Sequence, residues 1–266
     1  MATEIDRNEL PFAAPCRTLS PMAPFRWLAR GSRDLIAAPR QSLVYGGAVA
    51  LLTGIVTMLA WFQGSQWILF AMLGGFVFMA PLCCVGLYAL SAQLERGQPP
   101  LLLRSLRAAF LRHFGNEMVF ALALLVVFLV WARAAIMVTV FFPTDATAST
   151  TDYIAFYAFG TSVGAVFAAI TFSASAFSLP MIMHRDVDSV TAIVTSVNAV
   201  LRNLPAMLVW LALVVLLLVI GIATAFIGLV VIVPLIGFAA WHGYLDTIDA
   251  SEFPRHAEGI TSVPRS

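Results

Sequence analysis

The sequence predicts an all-α membrane protein: a polytopic bundle of about six spanning helices, with three amphipathic helices along one face. Three observations predict it. Of 266 residues, 61% are hydrophobic and only 11% charged, whereas a soluble domain is about half apolar and about a quarter charged. The apolar residues are gathered into runs long enough for a bilayer core of about 30 Å, which takes about 20 residues at about 1.5 Å each. The basic residues, all of them Arg, fall almost entirely between alternate runs.

The runs give spans at 42–62, 67–92, 118–142, 153–183, 205–224 and 227–246. Leu204 to Leu245 holds no charged residue. At about 1.5 Å per residue it is roughly twice the membrane thickness, so it must fold back. Gly221 to Gly228 is the place marked by glycine for that turn. Domain organisation follows: a disordered tail over 1–24, rich in Pro and acids, one transmembrane domain over 25–248, and a polar tail over 249–266.

Orientation comes from Arg. Arg7, Arg17, Arg26, Arg30, Arg33 and Arg40 precede the first span; Arg96, Arg104, Arg107 and Arg112 lie between the second and third. Arg185 and Arg202 lie between the fourth and fifth, and Arg255 and Arg265 follow the sixth. The positive-inside rule makes that side cytoplasmic and expects both termini there. Five spans would place the last Arg pair outside. Glu4, Asp6 and Glu9 stand where a cleavable signal needs basic residues, so the first span is expected to serve as its own insertion signal.

The segments on the Arg side carry helical periodicity. In 187–204, Val190, Ile193, Val194, Val197, Val200, Leu201 and Leu204 form an apolar stripe, with Thr195, Asn198 and Arg202 off it and Asp186 or Asp188 at its start. Residues 25–38 and 101–114 repeat the pattern more roughly, opposing Phe25, Leu28 and Leu35 to Arg26, Arg30 and Arg33, and Leu103, Leu106, Phe110 and Phe114 to Arg104 and Arg107. All three read as interfacial helices, with those five Arg facing lipid headgroups. Each ends near a breaker (Pro39, Gly115, Pro205) and leads into a hairpin whose second helix carries Pro81, Pro180 or Pro234. An interfacial helix plus a hairpin, three times over, is the suggested repeat.

Four stretches resemble a known family: Trp27-Leu28-Ala29-Arg30-Gly31-Ser32-Arg33-Asp34-Leu35, Leu94-Glu95-Arg96-Gly97, Leu179 to Asp188 (Leu-Pro-Met-Ile-Met-His-Arg-Asp-Val-Asp), and Ala240-Trp241-His242-Gly243-Tyr244. The chain is similar, from about Phe25 to Asp246, to uncharacterised six-span integral proteins of the bacterial inner membrane. Some of these carry an automatic label as cytochrome c oxidase subunit I-like. The resemblance implies the topology and supplies no catalytic residues.

Arg133 is the most informative single residue. It lies nine residues before Phe142, about 14 Å by helical rise, and an Arg near mid-membrane costs at least about 2.5 kcal/mol. Thr161 and Ser162 lie at similar depth, and Asp145 or Asp152 comes within reach if the side chain snorkels outward. It reads either as a tie between helices or as a contact for an anion or headgroup. His184-Arg185-Asp186-Val187-Asp188 is the densest polar cluster, and reads as a solvated helix cap or as a cation site. His113, His184 and His242 sit near helix ends without metal-ligand spacing, so no cofactor is expected and the oxidase label gains no support. Three Cys make no disulfide framework. No phosphate loop, nucleophile elbow or zinc-protease motif occurs, so no enzymatic activity is expected. A net charge of +1 gives no electrostatic footprint for nucleic acid.

Small residues recur every four positions (Gly46, Ala50, Gly54; Gly160, Gly164, Ala168; Gly221, Ala225) and suit close helix approach within one chain, or a homo-oligomer. The expected function is that of a non-enzymatic accessory protein holding anionic inner-leaflet lipid or other membrane proteins. The alternative is a small-solute permease or channel with Arg133 near the path, although polar side chains for a path are scarce. Reporter fusions at Ala250 should behave as cytoplasmic and fusions at Thr147 as periplasmic; a periplasmic signal at Ala250 would overturn the final hairpin.

Overall fold

The computed structural model describes residues 11–62, 75, 80–102, 114–142 and 149–254. Among them the named elements are all helical: α1 Ala23–Ala37, α2 Pro39–Phe62, a short 3-10 turn Leu82–Cys84 leading into α3 Val85–Glu95, α4 Phe114–Phe141, α5 Thr150–Ser175, α6 Ser178–His184, α7 Ser189–Arg202, α8 Leu204–Ala223 and α9 Leu229–Thr247. Helices α2, α4, α5 with α6, α8 and α9 are long and apolar enough to cross a membrane. Residues 67–74 and 76–79 of the expected second span, and residues 103–113 of the expected helix at 101–114, with Arg104 and Arg107, lie outside the described residues.

The prolines act differently, each for a local reason. Pro180 has no N–H for the carbonyl four residues earlier, and the expected single helix over 153–183 breaks at Ala176 and Phe177. Pro81 caps the 3-10 turn before α3. Pro234 lies inside α9, which continues past it. The fold-back expected at Gly221 to Gly228 is present: Ala225 and Phe226 take left-handed φ values of 51° and 68°. The Thr224 hydroxyl closes the turn, donating to the Gly221 carbonyl at 2.8 Å and accepting the Gly228 N–H at 2.8 Å.

Helix α9 is the axis. Of its apolar window 61% is buried, against 11% for α4, and α1, α2, α3 and α8 all pack on it. Pro234 deprives the Val230 carbonyl of its helical donor, and α2 covers that place with Gly46. A Cβ on Gly46 would stand 2.0 Å from the Val230 oxygen. A Cβ on Gly31 of α1 would lie 2.8 Å from the Ala239 nitrogen. Of the small-residue stripes, Gly46 and Gly221 sit in close contacts inside the chain, whereas a Cβ on Gly164 would meet nothing within 4 Å.

The described segments nearest the two termini, residues 11–22 and 248–254, lie together at one end of the bundle, called here the terminal end. Residues 11–22, expected to be disordered, are instead tied down. Cys16 pairs with Ile248 in an isolated antiparallel bridge. The Ala14 N–H donates to Thr195 Oγ1 at 3.0 Å and the Leu19 N–H to Asn203 Oδ1 at 2.7 Å. The cause is α7. Its buried face consists of Ser189, Thr191, Ala192, Thr195, Ser196, Ala199 and Val200, while Val190 and Leu201 are exposed. Buried hydroxyls need partners, and the N-terminal segment supplies some of them.

Gly46→Ala should lower the melting temperature in detergent, at a cost of about 1–3 kcal/mol for overpacking. Gly47→Ala, whose new Cβ would meet nothing within 4 Å, should be neutral or stabilising, by up to about 1 kcal/mol from helix propensity. Thermal unfolding of the pair checks the contact; equal effects would refute it.

Candidate functional site at the terminal end

Functional side chains gather where α1, α3, α6 and α9 meet. Trp27 is fully buried, and its ring packs edge-on against Trp210 and Phe177, with centroids at 5.6 and 6.4 Å. Gly243 leaves room for it, since a Cβ there would lie 3.0 Å from the ring. So placed, Trp27 donates its Nε1–H to Asp246 Oδ2 at 3.1 Å. Arg26 and Arg30, one turn apart, approach the same carboxylate at 3.6 and 3.5 Å. Two of the Arg expected to face lipid headgroups thus pair with α9, and Arg26, Arg30 and Arg33 are all exposed.

One helical turn before Asp246, His242 Nε2 lies 2.9 Å from Asp34 Oδ2. The Ser91 hydroxyl of α3 donates to the same oxygen. Ser, His and Asp are thus adjacent, but the Ser faces the carboxylate and not the imidazole. A nucleophilic triad needs the base on the hydroxyl, so this cluster ties α1, α3 and α9 together. Trp241 Nε1 donates to Glu95 Oε2 at 3.2 Å.

His184 Nδ1 is 2.9 Å from the Tyr244 hydroxyl, and its ring packs edge-on against Trp241 with centroids at 5.5 Å. A cavity of about 350 Å³ opens here, lined by Ala92, Glu95, Arg96, His184, Trp241 and Leu245. Helices α3, α6 and α9 all end at this place, and their last carbonyls carry partial negative charge. Arg96 follows α3, and Arg185, which follows α6, donates to the Phe253 carbonyl at 2.8 Å.

The other expected site residues are dispersed. Asp188 caps α7, accepting the Thr191 N–H at 2.9 Å. Partial burial pushes its carboxyl up, but hydrogen bonds from Thr191 and from the Val190 backbone outweigh burial and hold it below the ordinary value. The cap therefore stabilises the fold above the ordinary carboxylate range and loses that contribution as pH falls through its own lowered value. Asp186 ties its backbone N–H to the Pro254 carbonyl at 2.9 Å. His184, Asp186 and Asp188 thus turn to different neighbours. Among the described residues no three His, Cys, Asp or Glu side chains converge as a metal ion would require.

Arg133 is exposed on α4, as are Thr161 and Ser162 on α5. Ser162 donates to its own helix at Ala158, and Asp152 caps α5 through Ser149. No ion pair to Arg133 occurs among the described residues, and Asp145 lies outside them.

Sequence reasoning missed Asp34, Ser91, Glu95 and Asp246 as partners. The signal available was that Asp34, Glu95 and the run Trp241-His242-Gly243-Tyr244 all fall in the stretches that carry the family resemblance.

Fold and polar end together define an all-α integral membrane protein. Residues 68–184, under half of the chain, match a family described as "Predicted integral membrane protein (DUF2189)". No curated protein and no solved structure matches the chain.

Asp246→Ala should cost about 1–3 kcal/mol, because it leaves the buried Trp27 N–H without an acceptor and two guanidiniums without their counter-charge. Asp246→Asn keeps an acceptor and should cost less. Thermal melts in detergent compare them; equal losses would remove the Trp27 bond from the account.

Proposed function

We propose that the chain is a non-enzymatic protein of the bacterial inner membrane that holds inner-leaflet lipid, and through it organises or assists other membrane components. In this reading the terminal end is cytoplasmic and the chain crosses six times. The sixth crossing in this reading is the span expected at 67–92, of which residues 67–74 and 76–79 lie outside the described residues.

The observation that carries the reading is the orientation of α7. An amphipathic helix at a water boundary turns its hydroxyls to water. Here the hydroxyl face is buried in the protein together with Val200, while Val190 and Leu201, and Leu204 at the start of α8, are exposed beside Asn198 and Arg202. At the membrane edge, a face of that chemistry has lipid chains or an apolar partner to meet. Arg33 on α1 is placed for anionic headgroups. The permease alternative loses support, because Arg133 sits on the outer surface of α4 and not inside the bundle.

Val190→Ser, Leu201→Ser and Leu204→Ser together should reduce the phospholipid retained per protein in mild detergent, each substitution removing about 1 kcal/mol of apolar contact. Lipid mass spectrometry reads the retention. Unchanged retention would refute the role of α7, and solute flux into proteoliposomes above that of protein-free vesicles would favour the permease.

A further inference from the structure

We propose that the cavity where α3, α6 and α9 end binds a small zwitterion, a primary ammonium with an acid group a few bonds away, through Glu95 and Arg96. The site goes beyond the lipid-holding reading and does not depend on the exposed face of α7. Its volume of about 350 Å³ lies at the small end of the range of about 300–1,000 Å³ for ligand sites. That suits a molecule the size of an amino acid or a lipid headgroup.

The two formal charges that line it have opposite sign. Glu95 is the last residue of α3 and Arg96 its C-cap, and Gly97, with a left-handed φ of 65°, turns the chain directly after them. Both side chains are exposed, and both line the cavity, so a ligand reaches them from solution. Neighbours in sequence on a helix do not face each other, so each meets a different end of one ligand.

The floor holds Glu95 in place. Trp241 is 2% exposed and donates its Nε1–H to Glu95 Oε2 at 3.2 Å, so the carboxylate is oriented before any ligand arrives. A carboxylate accepts up to about four hydrogen bonds, and the indole uses one of them. Tyr244, also buried, holds His184 Nδ1 at 2.9 Å. The rings of His184, Trp241 and Tyr244 stand 5.5 to 5.7 Å from one another and form a packed wall behind the charged rim.

Charge selects the ligand. A lone anion would meet Glu95 and the carbonyl ends of α3 and α9, which carry partial negative charge. A lone cation would meet Arg96. A zwitterion answers both, with its ammonium donating to Glu95 and its acid group accepting from the guanidinium. Arg185 does not alter that balance by contact, because it turns to the Phe253 carbonyl. Two sources supply the chemistry: an ethanolamine-type lipid headgroup, whose acid is a phosphate, and a free amino acid, whose acid is a carboxylate.

The test uses the full-length protein, washed of bound phospholipid in a maltoside detergent. Thermal unfolding is followed at rising probe concentration, since a ligand held by the folded state raises the melting temperature. Glycerophosphoethanolamine and glycine carry both charges; ethanolamine carries only the cation and glycerol 3-phosphate only the anion. At least one zwitterion should bind about tenfold more tightly than either single-charge probe, the worth of one charge-assisted hydrogen bond. Binding of glycerophosphoethanolamine alone assigns the site to a lipid headgroup, and binding of glycine alone to a free solute. Glu95→Gln keeps an acceptor for Trp241 and should fold, yet weaken the zwitterion about tenfold, and Arg96→Gln should do the same. Ala92→Phe, or Leu245→Phe if the first misfolds, should fill the cavity and abolish the shift. No shift with either zwitterion, a shift matched by the single-charge probes, or an unchanged shift in folded Glu95→Gln overturns the inference.

Discussion

Everything at the terminal end depends on how closely α1 and α2 approach α9. In a bilayer the lipid is as apolar as the side chains, so helices gain their association from close packing and polar ties. Gly46 meets the carbonyl that Pro234 frees, Gly31 meets the backbone at Ala239, and Gly243 receives the ring of Trp27. These approaches set the register of α1 against α9. Register then decides the chemistry, because His242 reaches Asp34 and Trp27 reaches Asp246 only where those helices lie backbone to backbone. The polar ties hold the contact that placed them.

The second dependence runs from α7 to the N-terminal segment. A helix that buries its hydroxyls incurs a cost unless each finds a partner. Ser196 donates to the Ser173 carbonyl and accepts the Phe177 N–H at the break before α6. Thr195 takes the Ala14 N–H, and Asn203 at the end of α7 bonds both Leu19 and the Arg17 carbonyl. Pro180 thereby has a structural use: the break it causes exposes backbone groups that α7 satisfies. Once the hydroxyl face is spent in this way, Val200 still joins the core and Ile193 packs against it, but Val190 and Leu201 are left outside, and the proposed lipid contact rests on them.

How much of this was legible in the sequence follows from what periodicity can encode. Run length located the described spans, glycine located the last turn, and helical spacing located α1 and α7. Periodicity could not say which face of α7 turns inward, since core and lipid are both apolar and the small hydroxyl residues pack as well as valine does. The same ambiguity hid the surface position of Arg133. Asp34 and His242 stand 208 residues apart, and no local pattern links them; only the fold does. The N-terminal segment read as loose because its proline and acid content forms no element, and its order comes from hydrogen bonds to α7 and the chain end.

The two parts of the bundle differ in what they can tolerate, and Arg133 illustrates the difference. On α9, most of whose length is enclosed, a guanidinium would displace a packed neighbour and find no water. On α4, with Leu129, Val130, Ile136 and Met137 exposed around it, the side chain can extend along the helix toward the headgroups. An Arg in a span costs least where its helix is least enclosed.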